Sequence, residues 1–212
     1  MIAATTRRTR SGSLASVILI VDHYDSFTYN LVQLVERLGR ATTVVRSDAH
    51  PADDLVAMDP DAVILSPGPG RPEDAGVFLE LLRGLPATTP VLGVCLGHQA
   101  LGLAGGTAVV RTEPVHGHAS PVLHDGRGIL AGVPSPFAAA RYHSLVLREA
   151  DLPPDLEVTA RTEDGEVMAL QHRELPRFGL QFHPESILTP EGPRIVGAFL
   201  ALAPTRERTD AT

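Results

Sequence analysis

The chain has 212 residues, of which 43% are hydrophobic and 20% charged, and its formal net charge is −7 at pH 7. These values predict one globular domain with a core of aliphatic side chains. All 18 basic residues are arginine, and the acidic balance argues against nucleic-acid binding, which needs a basic face. Since the sequence shows neither a run of ~20 apolar residues nor a signal-peptide pattern, we expect a cytoplasmic protein without a membrane anchor.

The first half of the sequence predicts alternating strands and helices. Residues 1–16 are small and polar, which predicts a disordered extension before a domain at 17–203 and a flexible tail at 204–212. The predicted elements are, in chain order, strand 17–21, a helix capped by Ser26 and stopped by Gly39, strand 42–45, helix 51–58, strand 62–65, helix 74–83, strand 91–94 and a helix after Cys95. Their short connections predict an α/β fold with an open, mostly parallel central sheet flanked by helices.

The pattern changes after residue 106. Strands are predicted at 107–111, 121–123, 156–161 and 167–171, with few helical patterns between them. They indicate antiparallel strands that are added to the parallel sheet. A last apolar strand at 178–182 and a helix at 190–202 complete the predicted domain.

The single cysteine lies in a segment with the form of a nucleophile elbow. Residues 93–97 read Gly-Val-Cys-Leu-Gly and join a predicted buried strand to a helix. The two glycines allow a tight turn, the helix N-terminus favours the thiolate of Cys95, and the N–H of Leu96 stays free to bind an oxyanion. A lone cysteine is often only a small buried hydrophobe. Its place between two glycines at a strand–helix junction favours a catalytic thiol.

A catalytic thiol needs a base and a group that orients the base. His183 directly follows the apolar strand 178–182, so its ring is expected at the same sheet edge as Cys95. Glu185 lies two residues further on, and alternate side chains of an extended segment share a face. We therefore predict that the Glu185 carboxylate holds one imidazole nitrogen while the other nitrogen faces the thiol.

Further candidates for ligand binding are less specific. The segment 66–70, Ser-Pro-Gly-Pro-Gly, ends another central strand; Gly68 could supply a second oxyanion N–H, and a plain glycine–proline turn is the alternative. Gln99 lies one helical turn after the thiol and could bind a substrate amide or carboxylate. Segment 142–145 could present backbone groups to a ligand. The His-Gly-His segment 116–118 has no Cys or carboxylate cluster beside it, so no metal site is predicted.

Together these segments resemble the class I (triad) glutamine amidotransferases, whose fold is flavodoxin-like. The resemblance is strongest to the branch that serves chorismate-using enzymes, namely anthranilate synthase component II and the aminodeoxychorismate synthase glutaminase subunit. The matching segments are residues 22–30 (DHYDSFTYN), 66–70 (SPGPG), 93–100 (GVCLGHQA), 116–117 (HG), 141–145 (RYHSL) and 181–188 (QFHPESIL). They occur in the family order.

The resemblance implies a role for each matching residue. Cys95 would attack the side-chain amide of L-glutamine, His183 would transfer protons, and Glu185 would orient His183. The N–H groups of Gly68 and Leu96 would hold the oxyanion. The positions expected to bind glutamine are Gly68, Pro69, Gly70, Gln99, Ser144 and Leu145.

The resemblance also implies a partner. Ammonia released here would pass to a chorismate-aminating synthase, which is a separate large subunit; Mg²⁺ is expected in that synthase, and this chain is expected to bind no cofactor, nucleic acid or membrane. The alternative interpretations are a stand-alone hydrolase of γ-glutamyl compounds and a non-catalytic regulatory subunit. At this point the sequence leaves open the stoichiometry and the choice among anthranilate, aminodeoxychorismate and a specialised secondary pathway.

Overall fold

A nine-stranded sheet forms the centre of the computed structural model, which describes residues 17–204. Its strands are β1 (Val17–Asp22), β2 (Ala41–Arg46), β3 (Ala62–Leu65), β4 (Val91–Val94), β5 (Val109–His124), β6 (Phe137–Leu147), β7 (Leu156–Thr162), β8 (Val167–His172) and β9 (Arg177–Leu180). The helices are α1 (Thr28–Arg37), α2 (Ala52–Ala57), α3 (Phe78–Gly84), α4 (Leu96–Ala104) and α5 (Gly192–Leu200). The predictions for residues 1–16 and for the tail beyond Pro204 lie outside the described residues. None of the described helices is long and apolar enough to span a membrane.

The parallel half of the sheet consists of β2, β1, β3, β4 and β9, in that spatial order. Along β1, Ile18 and Ile20 belong to the core shared with α1 and α5, whereas Leu19 and Val21 belong to the core shared with α2, α3 and α4. All four side chains are fully buried, and burial of each contributes roughly 1.5–3 kcal/mol. The predicted α/β class, with helices on both faces of a parallel sheet, is confirmed.

An antiparallel half continues the sheet in the order β9, β8, β7, β5 and β6. Its long pair, β5 and β6, runs from Val109 opposite Leu147 to Val122 opposite Phe137. The prediction of two short strands in place of β5, and of none at β6, was wrong. Most positions of β5 are exposed or half-buried, so no apolar run marks the strand. The alanines at 138–140 of β6 have little intrinsic preference for a strand.

The start of α3 also differs from the prediction. The helix begins at Phe78 rather than at residue 74, and a short 3₁₀ turn precedes it. Gly76 lies between the 3₁₀ turn and α3 and has a φ of +57°. A Cβ at this position would lie 2.3 Å from the carbonyl oxygen of Ser47. The chain therefore has to leave the helical path here. Most other predicted elements are present, with ends shifted by one or two residues.

The two ends of α1 show one correct and one wrong prediction. The predicted cap by Ser26 is absent, since the residue before the helix is Phe27 and no side chain caps the helix. Instead, Oδ2 of Asp25 accepts a hydrogen bond from the N–H of Phe27 at 2.8 Å. At the other end, Gly39 adopts a φ of +83°, as expected of a glycine that stops a helix.

Candidate active site

The turn between β4 and α4 holds Cys95 in a strained conformation at the carboxyl edge of the parallel strands. Its backbone has φ 50° and ψ −98°, outside the regions that non-glycine residues favour. A Cβ on Gly93 would lie 2.3 Å from the carbonyl oxygen of Gly97, and one on Gly97 would lie 2.4 Å from that of Leu65. The N–H of Cys95 donates to the carbonyl oxygen of Leu180 at 2.7 Å. This turn has the geometry of a nucleophile elbow.

His183 follows β9 and lies at the same edge of the sheet. Its N–H donates to the carbonyl oxygen of Ala140 at 3.0 Å, and Oγ1 of Thr189 donates to its carbonyl oxygen at 2.7 Å. Nδ1 of the ring lies 2.6 Å from Oε1 of Glu185, and both side chains are buried. Residues 184–185 form a turn, so this pairing arises from turn geometry and not from the strand alternation on which the prediction relied.

The charge of His183 follows from its neighbours. Burial alone would lower the pKa of its imidazole, but interactions with Cys95 and with Glu185 outweigh burial and raise the pKa to about 10. Nε2 is buried, and no described residue meets full hydrogen-bond geometry with it; the interaction with Cys95 is close enough to contribute to the raised pKa. An imidazolium between a carboxylate and a thiol stabilises the thiolate, which is the nucleophilic form.

Two aromatic rings cover the imidazole of His183. The ring centroid of Tyr142 lies 5.0 Å from that of His183, the centroid of Phe27 lies 5.6 Å from it, and the two cover rings are 5.1 Å apart. Phe27 is placed by the turn before α1, where Oδ1 of Asp22 accepts a hydrogen bond from the N–H of Asp25 at 3.2 Å. The aromatic cover limits the access of water and so strengthens the electrostatic interactions beneath it.

A cavity of about 200 Å³ opens beside the sulfur. It is lined by Gly68, Pro69, Gly70, Cys95, Leu96, Gln99, Tyr142, His143, Ser144 and Leu145. Every position that the resemblance assigns to glutamine binding therefore borders one cavity together with the thiol. Cavities for drug-sized ligands measure roughly 300 Å³ or more, so this one suits a single amino acid. Among the described residues, no acceptor binds the N–H of Leu96 or of Gly68, and both remain open to an oxyanion.

The amide of Gln99 has one end engaged by the protein. Its Nε2 donates to the carbonyl oxygen of Leu145 at 3.0 Å and to Oε1 of Gln181 at 3.3 Å, which leaves its own Oε1 for a ligand. Gln181, in turn, donates from Nε2 to the sulfur of Cys95 at 3.6 Å. Sequence reasoning did not single out Gln181, although its place two residues before His183 was an available signal.

Two further buried histidines are neutral at pH 7. Burial lowers the pKa of His98 to about 3. Burial and then the charge of Arg141 lower the pKa of His143 to about 4. The segment 116–118 is not part of a metal-binding cluster, since residues 17–204 contain no group of three or more His, Cys, Asp or Glu that could hold a metal ion.

Comparisons with known proteins define the class. The profile of the family "Glutamine amidotransferase class-I" matches residues 19–202, and the chain belongs to the class-I glutamine amidotransferase family, which confirms the predicted enzyme class. The chain is 50% identical over 186 residues to anthranilate synthase component 2 of Azospirillum brasilense. The aligned region covers 87% of this chain and 95% of the relative. It is also 44% identical over 185 residues to aminodeoxychorismate synthase component 2 of Klebsiella aerogenes, and this alignment covers 87% of the chain and 99% of the relative.

A solved structure has the same fold. It is that of a candidate GMP synthase subunit from Thermoplasma acidophilum, which superposes with a TM-score of 0.80 at 25% identity. The match covers 89% of this chain and 94% of the other chain. The fold likeness therefore extends over both halves of the sheet.

Proposed function

We propose that this protein is the glutaminase subunit of a chorismate-aminating synthase and hydrolyses L-glutamine with a triad of Cys95, His183 and Glu185. One observation carries the proposal. At one edge of the sheet the chain brings together a strained cysteine, a histidine whose pKa is raised to about 10 and a buried carboxylate 2.6 Å from its ring. The adjacent cavity of amino-acid size supports the same function.

The first half-reaction forms a thioester. The thiolate of Cys95 attacks the carbonyl carbon of the glutamine side-chain amide, and the N–H groups of Leu96 and Gly68 stabilise the oxyanion. The imidazolium of His183 then gives its Nε2 proton to the departing nitrogen, so that ammonia leaves as the C–N bond breaks. A γ-glutamyl thioester remains on the sulfur.

The second half-reaction consumes water. Neutral His183 takes a proton from a water molecule as its oxygen attacks the thioester carbon; glutamate leaves, and the thiolate and imidazolium form again. Glu185 keeps Nδ1 protonated and so leaves Nε2 as the proton acceptor. Because side chains and backbone groups carry every step, the proposal assigns no cofactor to this chain. The Mg²⁺ that the resemblance implies is assigned to the partner synthase.

The surface beside the triad supports a protein partner. Ile187 is 94% exposed, and Tyr29, in the first turn of α1, is 62% exposed. A groove of about 690 Å³ is lined in part by Phe27, Tyr142 and Ile187, so it borders the aromatic cover of His183. Exposed large apolar side chains beside a groove favour an interface. The synthase would dock here and receive ammonia before water protonates it.

The pathway and the compartment belong to the same proposal. Relatives carry the names of both anthranilate synthase and aminodeoxychorismate synthase components, so the partner's product, made from chorismate, decides between them. A reducing compartment keeps a lone cysteine as the free thiol that the reaction requires. We therefore place the enzyme in the cytoplasm.

The experiment combines the full chain with the chorismate-using synthase from the same genome. Cys95→Ser should lower glutamine-dependent amination of chorismate by at least about 10³-fold, because the nucleophile is lost. Amination driven by ammonium ions should stay within about twofold, since it bypasses the glutaminase. Loss of both activities would contradict a separable source of ammonia, and full glutamine turnover without the synthase would favour a stand-alone hydrolase.

A further inference from the structure

The side chain of Gln181 contacts both the sulfur and the lining of the glutamine cavity. Gln181 follows β9 and is fully buried, and its backbone N–H donates to the carbonyl oxygen of Met168 at 2.8 Å. Its Nε2 donates to the sulfur of Cys95 at 3.6 Å, while its Oε1 accepts from Nε2 of Gln99 at 3.3 Å. One amide thus connects the nucleophile to a residue that borders the cavity.

The hydrogen-bond network fixes the orientation of this amide. Nε2 of Gln99 can only donate, and it also donates to the carbonyl oxygen of Leu145 at 3.0 Å. Only the oxygen of Gln181 can therefore face Gln99, and the NH₂ group is the end that faces the sulfur. An N–H donor stabilises a thiolate more than a thiol, because hydrogen bonds to charged groups are stronger than those between neutral groups.

We propose that Gln181 is a positioning residue for glutamine hydrolysis. It holds the thiolate of Cys95 in the direction of attack and couples that direction to the occupied cavity through Gln99. This inference rests on the proposed function, because it requires Cys95 to be the nucleophile. The role differs from that of His183, since an amide neither gains nor loses a proton near neutral pH.

The coupling follows from the elements that the three residues connect. Leu145 belongs to β6, Gln99 to α4, and Gln181 to the segment after β9. The amide of Gln181 thus connects the cavity wall, through Gln99, to the sulfur of Cys95. Removing the donor end alone, and then both ends together, should therefore separate the reactivity of the sulfur from the binding of glutamine.

Two variants make this separation. Gln181→Glu keeps an oxygen as the acceptor for Gln99 and replaces the donor to the sulfur by a second oxygen. Its kcat for glutamine hydrolysis should fall about tenfold or more, while its KM stays within about twofold. Gln181→Met has a similar size and removes both ends, so its KM should rise about threefold or more while its kcat also falls.

Alkylation by iodoacetamide reports on the sulfur without any substrate, and Cys95 is the only cysteine in the sequence. In Gln181→Glu the alkylation rate at pH 7 should fall about tenfold, and the pH profile of alkylation should move toward alkali by about one unit. Gln171→Met is the matched control, because the amide of Gln171 on β8 donates to Glu157 at 2.8 Å outside the cavity. It should leave the kinetics and the alkylation profile unchanged.

Each outcome decides the proposal. Wild-type kinetics and alkylation in both variants would overturn the positioning role and leave the proposed function intact. A fall in kcat with an unchanged alkylation profile would mean that Gln181 only supports the fold, which also overturns the role. Absence of glutamine hydrolysis by the wild-type chain with its synthase would instead remove the proposed function. Melting curves followed by circular dichroism check folding; should the Glu variant not fold, the Met variant carries the test.

Discussion

The parallel and antiparallel halves of the sheet contribute different parts of the site. In the parallel half, Cys95 and His183 follow the neighbouring strands β4 and β9, whose register fixes their spacing. In the antiparallel half, Tyr142, Ser144 and Leu145 all come from β6, the last strand of the sheet. The reactive groups thus depend on the interior of the sheet, whereas one wall of the cavity comes from its edge strand β6. We therefore expect substitutions in the two halves to alter reactivity and ligand recognition to different degrees.

A few hydrogen bonds join the two halves beside the proposed triad. The N–H of His183 donates to Ala140 on β6, whose own N–H donates to Oγ1 of Thr189 at 2.9 Å. The same hydroxyl donates to the carbonyl oxygen of His183. The β6 strand and the proposed base therefore share one hydrogen-bonding hydroxyl, that of Thr189. Substitutions in either half test how far the two halves act independently.

The largest effect is expected from Glu185→Gln in the parallel half. Loss of the carboxylate removes part of what raises the pKa of His183, so the pKa should fall from about 10 and glutamine hydrolysis should decrease about 10²- to 10⁴-fold. NMR titration of the imidazole and steady-state kinetics measure the two effects. Glu157→Gln, in the antiparallel half, is the control and should change neither. An unchanged pKa of His183 in the Glu185 variant would contradict the proposed orienting role.

The next effect concerns the elbow. Gly93→Ala should lower the free energy of unfolding by about 3 kcal/mol or more, because a Cβ would lie 2.3 Å from the carbonyl oxygen of Gly97. Gly165→Ala, between β7 and β8, should cost only about 1 kcal/mol, since its φ of +90° is unfavourable but open space surrounds it. Urea denaturation measures both. Equal losses would show that the elbow is no tighter than an ordinary turn.

Thr189→Val tests the hydroxyl that joins the halves. The replacement keeps the shape but leaves the N–H of Ala140 without its acceptor. It also removes one of the two donors to the carbonyl oxygen of His183, which keeps the N–H of Ser186 at 3.3 Å. The free energy of unfolding should therefore fall by about 2 kcal/mol. Thr42→Val is the control, because the hydroxyl of Thr42 donates to Glu36 at the surface and its loss should cost less than about 1 kcal/mol. A Thr189 variant as stable as the wild type in urea would mean that the halves do not depend on this hydroxyl.

The effect that is smallest near neutral pH concerns the neutral histidines of the two halves. Folding lowers the pKa of His98 from 6.5 to about 3 and that of His143 from 6.5 to about 4. Below pH 6.5 these histidines bind protons in the unfolded chain but stay neutral in the folded chain. Their contribution to the free energy of unfolding is therefore complete above pH 6.5 and is lost as the pH falls. His98→Gln should flatten the acid loss of stability by up to about 1.4 kcal/mol per pH unit. His143→Gln should flatten the acid loss of stability over a narrower pH window. If the free energy of unfolding depends on pH in the same way in both variants as in the wild type, these pKa values are contradicted.

Much of the parallel half was predictable because local sequence determines it. β3 is a continuous apolar run that is buried on both faces, and β4 has the same burial, which is the pattern of a central parallel strand. The elbow around Cys95 was predictable because only glycine fits its flanking positions. The pairing of His183 with Glu185 was predicted from an extended segment, with a solvated turn as the alternative, and it forms through a buried turn at residues 184–185.

The antiparallel half was less predictable because its contacts are distant in sequence. β6 carries the buried polar residues Arg141 and His143, which break any apolar alternation. Arg141 is accommodated by an ion pair with Glu166, and no local pattern predicts that partner. The contact of Gln181 with the sulfur and the place of Tyr142 over the imidazole likewise exist only once both halves are assembled.

The most direct test of the triad uses a glutamine-analogue electrophile and mass spectrometry of the full chain. We expect one covalent adduct on Cys95, slower labelling in the presence of L-glutamine, and at least about 10²-fold slower labelling when His183 is replaced by Asn. Labelling that L-glutamine does not slow, or that proceeds equally well without the imidazole, would contradict a glutamine site built on this cysteine and histidine.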